Sequence, residues 1–359
     1  MHTPHTPLLR YGWDEHAERG YAPHAAAGFR PARILRVDRG GRCLAATGDG
    51  TVRADTGPAP GTDPTAQPCT GDWAVLADGP TGPLVHALLP RRTAFLRSTS
   101  SKRSDGQVLA ANVDVAIIAV SLAVELDLGR LERFAALAWA SGAQPLLALT
   151  KADLVPDVTH LYDDAAAAVP GVDVLTLSAV AGTGTAELAQ RLRGRTGVLL
   201  GVSGAGKSTL VNALLGEEAS AVRATRDRDG KGRHTTTHRE LFPLPGGGVL
   251  IDTPGLRGVG LWDADAGVEQ AFTDVEALVA RCRFPDCGHR SEPGCAVLAA
   301  LADGSLPHRR WESYGKLQRE SARLAARTDA RLRAEQRKEF KRRQQEGRHA
   351  MERKRGRLR

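Results

Sequence analysis

The chain of 359 residues has no stretch approaching 18 uncharged apolar residues, which excludes a membrane-spanning helix on length alone. Its first residues, MHTPHTPLLRYGWDEH, lack the apolar core of a secretory signal, so a cytoplasmic location is expected. Cysteine is scarce, and five in a chain this long do not make a disulfide framework. Cys43 and Cys69 stand alone and read as small buried hydrophobes. Aromatics reach only 4%, while Ala, Gly and Arg abound, a bias that genome base composition explains as readily as function. Basic excess is missing everywhere except the C-terminal end. Lys316 to Arg359 hold 17 Lys and Arg against 6 Asp and Glu, and the other residues hold 32 against 35. That cationic end has no apolar face, which argues against a membrane-surface helix and for a polyanionic partner, RNA first.

A chain of this length supports two or three cores. Residues 1–30 show weak periodicity and read as an irregular or partly ordered arm. Over 31–96, short apolar runs such as ARILRV, RCLAAT and DWAVLAD alternate with Gly, Pro and Asp, and a five-stranded OB-type barrel fits that size. Residues 97–112, which include RSTSSKRSDGQ, read as a linker or loop. Over 113–262 the rhythm changes to strand and helix in alternation: VDVAIIAVSL, PLLALTK, VDVLTLSA, TGVLLG and GGGVLIDTPG are strand-like runs with helical segments between most of them. This predicts an α/β domain with a doubly wound parallel sheet, its ligands beyond the carboxyl ends of the strands. Residues 263–318 read as helical apart from a Cys/His cluster, and 319–359 as a basic tail able to form a long charged helix but too poor in apolar positions to hold itself on a core.

The sharpest motif is Gly201-Val202-Ser203-Gly204-Ala205-Gly206-Lys207-Ser208, followed by Thr209. It matches G-x-x-x-x-G-K-[ST] directly between the strand TGVLL and the helix STLVNALL, the context a phosphate loop needs. The glycines let backbone N–H groups curl round a phosphate, and the helix N-terminus adds partial positive charge. Lys207 would reach the β- and γ-phosphates, and the Ser208 hydroxyl would hold magnesium. Downstream, Asp252-Thr253-Pro254-Gly255 ends another strand; Asp252 can hold magnesium through water, and the Gly255 N–H can sense the γ-phosphate. Between them RDRDGKGRHTTTHRE has the look of a mobile loop, with Thr235, Thr236 and Thr237 as candidates to close on magnesium.

Upstream, Thr150-Lys151-Ala152-Asp153 follows the strand PLLAL and resembles the guanine-specific N-K-x-D. A carboxylate at Asp153 can accept from guanine N1–H and the 2-amino group, a pair adenine does not offer. The Lys151 stem can lie over the ring. Thr150 stands where Asn is usual, and its hydroxyl can still bond locally. Ser178 and Ala179 would add a second guanine contact through backbone N–H. The motif order is permuted, because the base motifs precede the phosphate loop. The γ-phosphate sensor then runs straight into the Cys/His region, so nucleotide state can move that region. There, Cys282-x₄-Cys287-x-His289-x₅-Cys295 offers three thiolates and one imidazole, the set of a closed structural zinc site with no open position for catalysis.

These residues resemble the RsgA family, the small ribosomal subunit-dependent GTPases of bacteria. The similarity spans about residues 31–318 and rests on the order TKAD, SA, GVSGAGKST, GRHTTT, DTPG, on the entry QVLAANVDVAIIAVSL, and on the cysteine cluster. It implies an N-terminal OB domain, a circularly permuted P-loop GTPase domain and a C-terminal zinc-binding helical domain. The implied function is GTP hydrolysis to GDP during late maturation of the small subunit, stimulated by that subunit and followed by release, with flanking domains on ribosomal RNA. A monomer is expected. After DTPG, Leu256 occupies the place of the usual water-orienting glutamine and cannot orient water; the resemblance points instead to His234 as the catalytic group.

Two other readings compete. A non-catalytic RNA-binding assembly protein could keep guanine nucleotide as a structural ligand, a view that Leu256 and Thr150 favour. A P-loop nucleotide kinase would give TKAD and SA no purpose.

Overall fold

The computed structural model describes residues 6–38, 40–57, 64–98, 106–216, 239–253 and 265–328. In the N-terminal arm the described residues are ordered: a 3₁₀ turn (Thr6–Tyr11) leads into helix α1 (Glu15–Ala25). Asp14 caps α1 by accepting from the Ala17 N–H at 2.9 Å. Leu8, Tyr11, Trp13, Ala17 and Tyr21 are buried, and Trp13 packs edge-on to Trp73 at 4.8 Å. Their spacing crosses a 3₁₀ turn, a break and a helix, so no single period marks it in the sequence.

Strands β1 (Arg30–Asp38), β2 (Arg42–Thr47), β3 (Gly50–Asp55), β4 (Trp73–Gly79) and β5 (Gly82–Leu88) close a barrel in the order β1-β2-β3-β5-β4, as the OB-type reading requires. Of the stretch expected as a linker, residues 106–111 are strand β7 (Gly106–Ala111), paired antiparallel with β6 (Ala94–Ser98). Val108, Leu109, Ala110 and Ala111 are buried there, so the ribbon belongs to the core.

The second sheet has the order β10-β9-β8-β11-β13-β12, formed by β8 (Val115–Ser121), β9 (Gln144–Thr150), β10 (Asp173–Thr176), β11 (Thr196–Leu200), β12 (Glu240–Pro243) and β13 (Val249–Asp252). All neighbours are parallel except the edge pair β12–β13. Side chains alternate between two cores. Val115, Ile117 and Ala119 of β8 face Leu188, Leu192, Leu210 and Val211, while Ala116 and Ile118 face the layer of Leu131, Ala135 and Val268. Each buried Val, Leu or Ile among them contributes about 1.5–3 kcal/mol. The helices are α2 (Leu128–Ala140), α3 (Thr159–Ala168), α4 (Thr185–Arg191) and α5 over 207–216, then α6 (Asp265–Ala271), α7 (Thr273–Val279), α8 (Ala296–Ala302) and α9 (His308–Thr328). Helix α9 continues ten residues into the expected tail, because Arg310, Tyr314, Leu317, Ser321 and Leu324 form one buried stripe.

Two joints fix the site. Where the barrel meets the second sheet, the fully buried Arg33 of β1 donates from Nη2 to Thr196 Oγ1 (3.2 Å) and the Asn112 carbonyl (3.4 Å), with its guanidinium 4.6 Å from the Trp73 ring centroid. Burial pulls its pKa down to about 10. At the second joint α6 crosses α2 so closely that a Cβ on Gly267 would stand 2.3 Å from the Ala136 carbonyl oxygen. Gly267→Ala is therefore expected to cost about 1–3 kcal/mol, read as a lower denaturation midpoint. An unchanged midpoint would mean that the crossing relaxes freely.

Candidate functional site

The phosphate loop leaves the C-terminal end of β11. Gly201 adopts φ +140°, and a Cβ there would lie 2.5 Å from the Ala119 carbonyl oxygen, so only glycine lets β11 turn against β8. Gly206 adopts φ +80° just before α5 and packs under Thr150. Lys207 folds back over the loop, donating from Nζ to the carbonyls of Gly201 (2.8 Å) and Val202 (2.6 Å). Ser208 and Thr209 are exposed on the first turn of α5, and Ser203 and Gly204 at the loop crest. Backbone N–H groups, a lysine and a helix N-terminus thus converge as an anion cradle.

The base motifs sit at the neighbouring strand ends. Thr150 closes β9, and its hydroxyl lies 2.8 Å from the Ala205 carbonyl and 3.1 Å from that of Val120. With a single proton it donates to one of these at a time, tying the base strand to the phosphate loop. Lys151 takes the left-handed conformation at φ 59°. The exposed Asp153 accepts the Ser178 hydroxyl at 2.5 Å, and that hydroxyl accepts the Ala181 N–H at 3.0 Å. The expectation for Ser178 needs revision at this point. Its N–H is already donated to the Thr183 carbonyl at 3.0 Å, which leaves its hydroxyl, bonded to Asp153, as the group it can offer. The Ala179 N–H has no protein acceptor among the described residues. Asp252 ends β13 beside β11, and the following Thr253 donates its hydroxyl to the Leu199 carbonyl at 3.2 Å. His234, Thr235, Thr236, Thr237, Gly255 and Leu256 lie outside the described residues.

A cavity of about 240 Å³ adjoins the loop, between Val202–Ala205, the end of β8 and the first turns of α2 at Arg130, Leu131 and Phe134. Helix α2 is in turn bolted to the C-terminal region. Glu132, fully buried, accepts from Arg310 at 2.9 Å and from Arg309 at 3.0 Å. Arg310 also pairs with Asp274 at 2.5 Å and donates to the carbonyls of Ala168 and Ala271. Arg133 pairs with Glu320 one helical step away. Sequence reasoning missed this network, since HRRW reads as an ordinary basic surface stretch.

The sulfur and nitrogen ligands gather between α7 and α8. Sγ of Cys282 lies 3.8 Å from Sγ of Cys295, and His289 Nδ1 is 3.5 Å from each. With Cys287, all four ligand atoms lie within 4.8 Å of one another. A tetrahedral ion with metal–sulfur bonds of about 2.3 Å requires sulfur–sulfur separations of about 3.8 Å, so the set fits such a metal. Cys295 also caps α8, its sulfur accepting the Leu298 N–H at 3.4 Å. Trp311 of α9 meets the His289 ring edge-on at 5.4 Å. His289 sits at φ 53°, a left-handed conformation costing about 1–2 kcal/mol for a residue with a Cβ.

Comparison with known proteins agrees with this geometry. A family model described as RsgA GTPase matches residues 88–262. The small ribosomal subunit biogenesis GTPase RsgA of Streptomyces coelicolor is 61% identical over 361 residues, covering 100% of this chain and 98% of that one. The protein of the same name from Streptomyces avermitilis is 61% identical over 353 residues, covering 98% and 95%. Among solved structures, YjeQ from Thermotoga maritima superposes with a TM-score of 0.59 at 22% identity, covering 80% of this chain and 97% of that one. A second, titled YloQ, a circularly permuted GTPase, gives 0.58 at 23%, covering 81% and 94%. At those identities the two structures speak for the fold alone. The full-length likeness to the Streptomyces proteins carries the further step, and with the base motifs preceding the phosphate loop on one sheet, the chain belongs to the RsgA GTPase family.

Proposed function

We propose that this chain binds the small ribosomal subunit and hydrolyses GTP during late maturation of that subunit, with the subunit stimulating hydrolysis and hydrolysis coupled to release. The observation that carries the reading is 61% identity across the whole chain with a relative named for small ribosomal subunit biogenesis. In this reading Asp153 accepts from guanine N1–H and the 2-amino group, the Ala179 N–H donates to the base carbonyl, and the Lys151 stem covers the ring. The loop from Gly201 to Thr209 wraps the phosphates, with Lys207 toward the β- and γ-groups. Ser208 directly and Asp252 through water would hold magnesium, which neutralises charge that builds between the β- and γ-phosphates. Thr235, Thr236 and Gly255 report the γ-phosphate. His234 positions the attacking water and takes its proton as the bond to GDP breaks.

The cluster of Cys282, Cys287, His289 and Cys295 holds one structural zinc ion, whose four protein ligands leave it no reactive position. Ribosomal RNA is the partner of the barrel and of the basic C-terminal end. The chain works as a cytoplasmic monomer, and among the described residues no helix is long and apolar enough to cross a membrane. The decisive measurement is GTP turnover with small subunits, large subunits and buffer alone. Only small subunits should accelerate it; equal rates in all three would overturn stimulation by the small subunit, and no turnover in any would favour a non-catalytic assembly protein. His234→Ala should keep GTP binding while losing stimulated turnover by about 10²–10⁴-fold. Unchanged stimulated turnover would remove His234 from its role.

A further inference from the structure

We propose that Glu292 is the positioning residue of the metal loop, its carboxylate holding the backbone on both sides of His289 so that the ligands stand ready for the ion. The proposal rests on the zinc reading of the Cys/His cluster. Between Cys282 and Cys295 the chain reads RFPDCGHRSEPG, with neither a regular element nor an apolar core to fix its course. Three of its backbone N–H groups converge on one side chain. Gly288 donates to Glu292 Oε1 at 2.9 Å, while Arg290 and Ser291 donate to Oε2 at 2.7 and 2.9 Å. These donors flank His289, the ligand with the left-handed backbone, and Gly288 is itself the residue that joins Cys287 to His289. A ligand held in a sparsely populated conformation must be held by its neighbours, and here one carboxylate does so from either side.

Charge does not explain the glutamate. Three thiolates around a divalent ion already leave the site at −1, so a further carboxylate close by gains nothing from the metal centre. What it gains is three N–H donors, and what the loop gains is its shape. The requirement is for three acceptor sites on two oxygens at the reach of a glutamate. Glutamine keeps the length but turns one oxygen into a donor facing another donor, and aspartate is one methylene short. Gly288 carries a matching requirement, since a Cβ there would lie 2.9 Å from Glu292 Oε1.

The test is zinc affinity of the full-length chain, by competition with a chromophoric chelator, for the wild type, Glu292→Gln, Glu292→Ala and Gly288→Ala. Outer-shell partners of this kind usually change metal affinity by about 10–100-fold, and that is the weakening expected for each variant. The double variant Gly288→Ala/Glu292→Ala should add little to either single one, because both remove the same hold. GTP binding and the circular dichroism spectrum should stay at wild-type values. Glu292→Ala and Glu292→Gln both binding zinc within about threefold of the wild type would overturn the positioning role and leave the zinc site standing. A wild-type chain that takes up no zinc would overturn both.

Discussion

Arg310→Ala is expected to destabilise the protein by about 3–5 kcal/mol, the cost of leaving a buried ion pair half empty. The change strips Glu132, which is fully buried and has its Oε2 without a hydrogen-bond partner among the described residues, of its buried cation. It also frees Asp274 and unpairs the carbonyls of Ala168 and Ala271. Arg309 reaches the same carboxylate but is 41% exposed, so Arg309→Ala should cost less than about 1 kcal/mol. Denaturant unfolding followed through intrinsic tryptophan fluorescence separates the two, and equal costs would contradict the network described above. Acid behaviour supplies a second check. Burial pushes the Asp274 carboxyl up, but the Arg310 hydrogen bond and charge outweigh it and hold the group below its usual range. A depressed carboxylate stabilises the fold above its unfolded pKa and loses that contribution as pH falls through the folded value. Arg310→Ala should therefore flatten the acid limb of the stability curve.

Lys207→Ala is expected to lower GTP turnover by about 10²–10³-fold, the usual effect of removing one strong donor from developing oxyanion charge. The fold should survive, because the glycines at 201 and 206 set the path of the loop. Turnover within about tenfold of the wild type would mean that the loop of residues 201–206 is not where the γ-phosphate is held. Measuring nucleotide affinity alongside turnover tells whether the lysine serves binding, chemistry or both.

The features legible in the sequence are those whose information is local. A phosphate loop is eight consecutive residues with glycines where the backbone demands them, and a metal cluster is a spacing of four side chains. The parallel sheet was legible because its strands are buried on both faces and read as unbroken apolar runs. The misses have a shared cause. The α1 region hides its burial behind a change of element, β7 behind a polar neighbour, and Arg310 behind the habit of reading every arginine as solvated. Ser178 shows a finer limit, because the sequence does not tell which of its groups is engaged, and in the fold its N–H is given to Thr183 while its hydroxyl donates to Asp153.

The strand order has a consequence for synthesis. Strand β8 lies between β9 and β11 in the sheet, yet β9 follows it closely in the chain while β11 comes only after β10 and α4. At about 5–20 residues per second, the stretch from Ser121 to Thr196 takes on the order of ten seconds to leave the ribosome. During that interval the nascent chain carries the β10-β9-β8 half of its sheet with one edge of β8, Val115–Ser121, unpaired and almost wholly apolar. An ordinary motif order would deliver β11 first, so the edge left waiting for its neighbour would belong to β11 instead of β8. The permutation therefore decides which half of the sheet waits on the ribosome, and here it is the half that only β11, the strand leading into the phosphate loop, can complete.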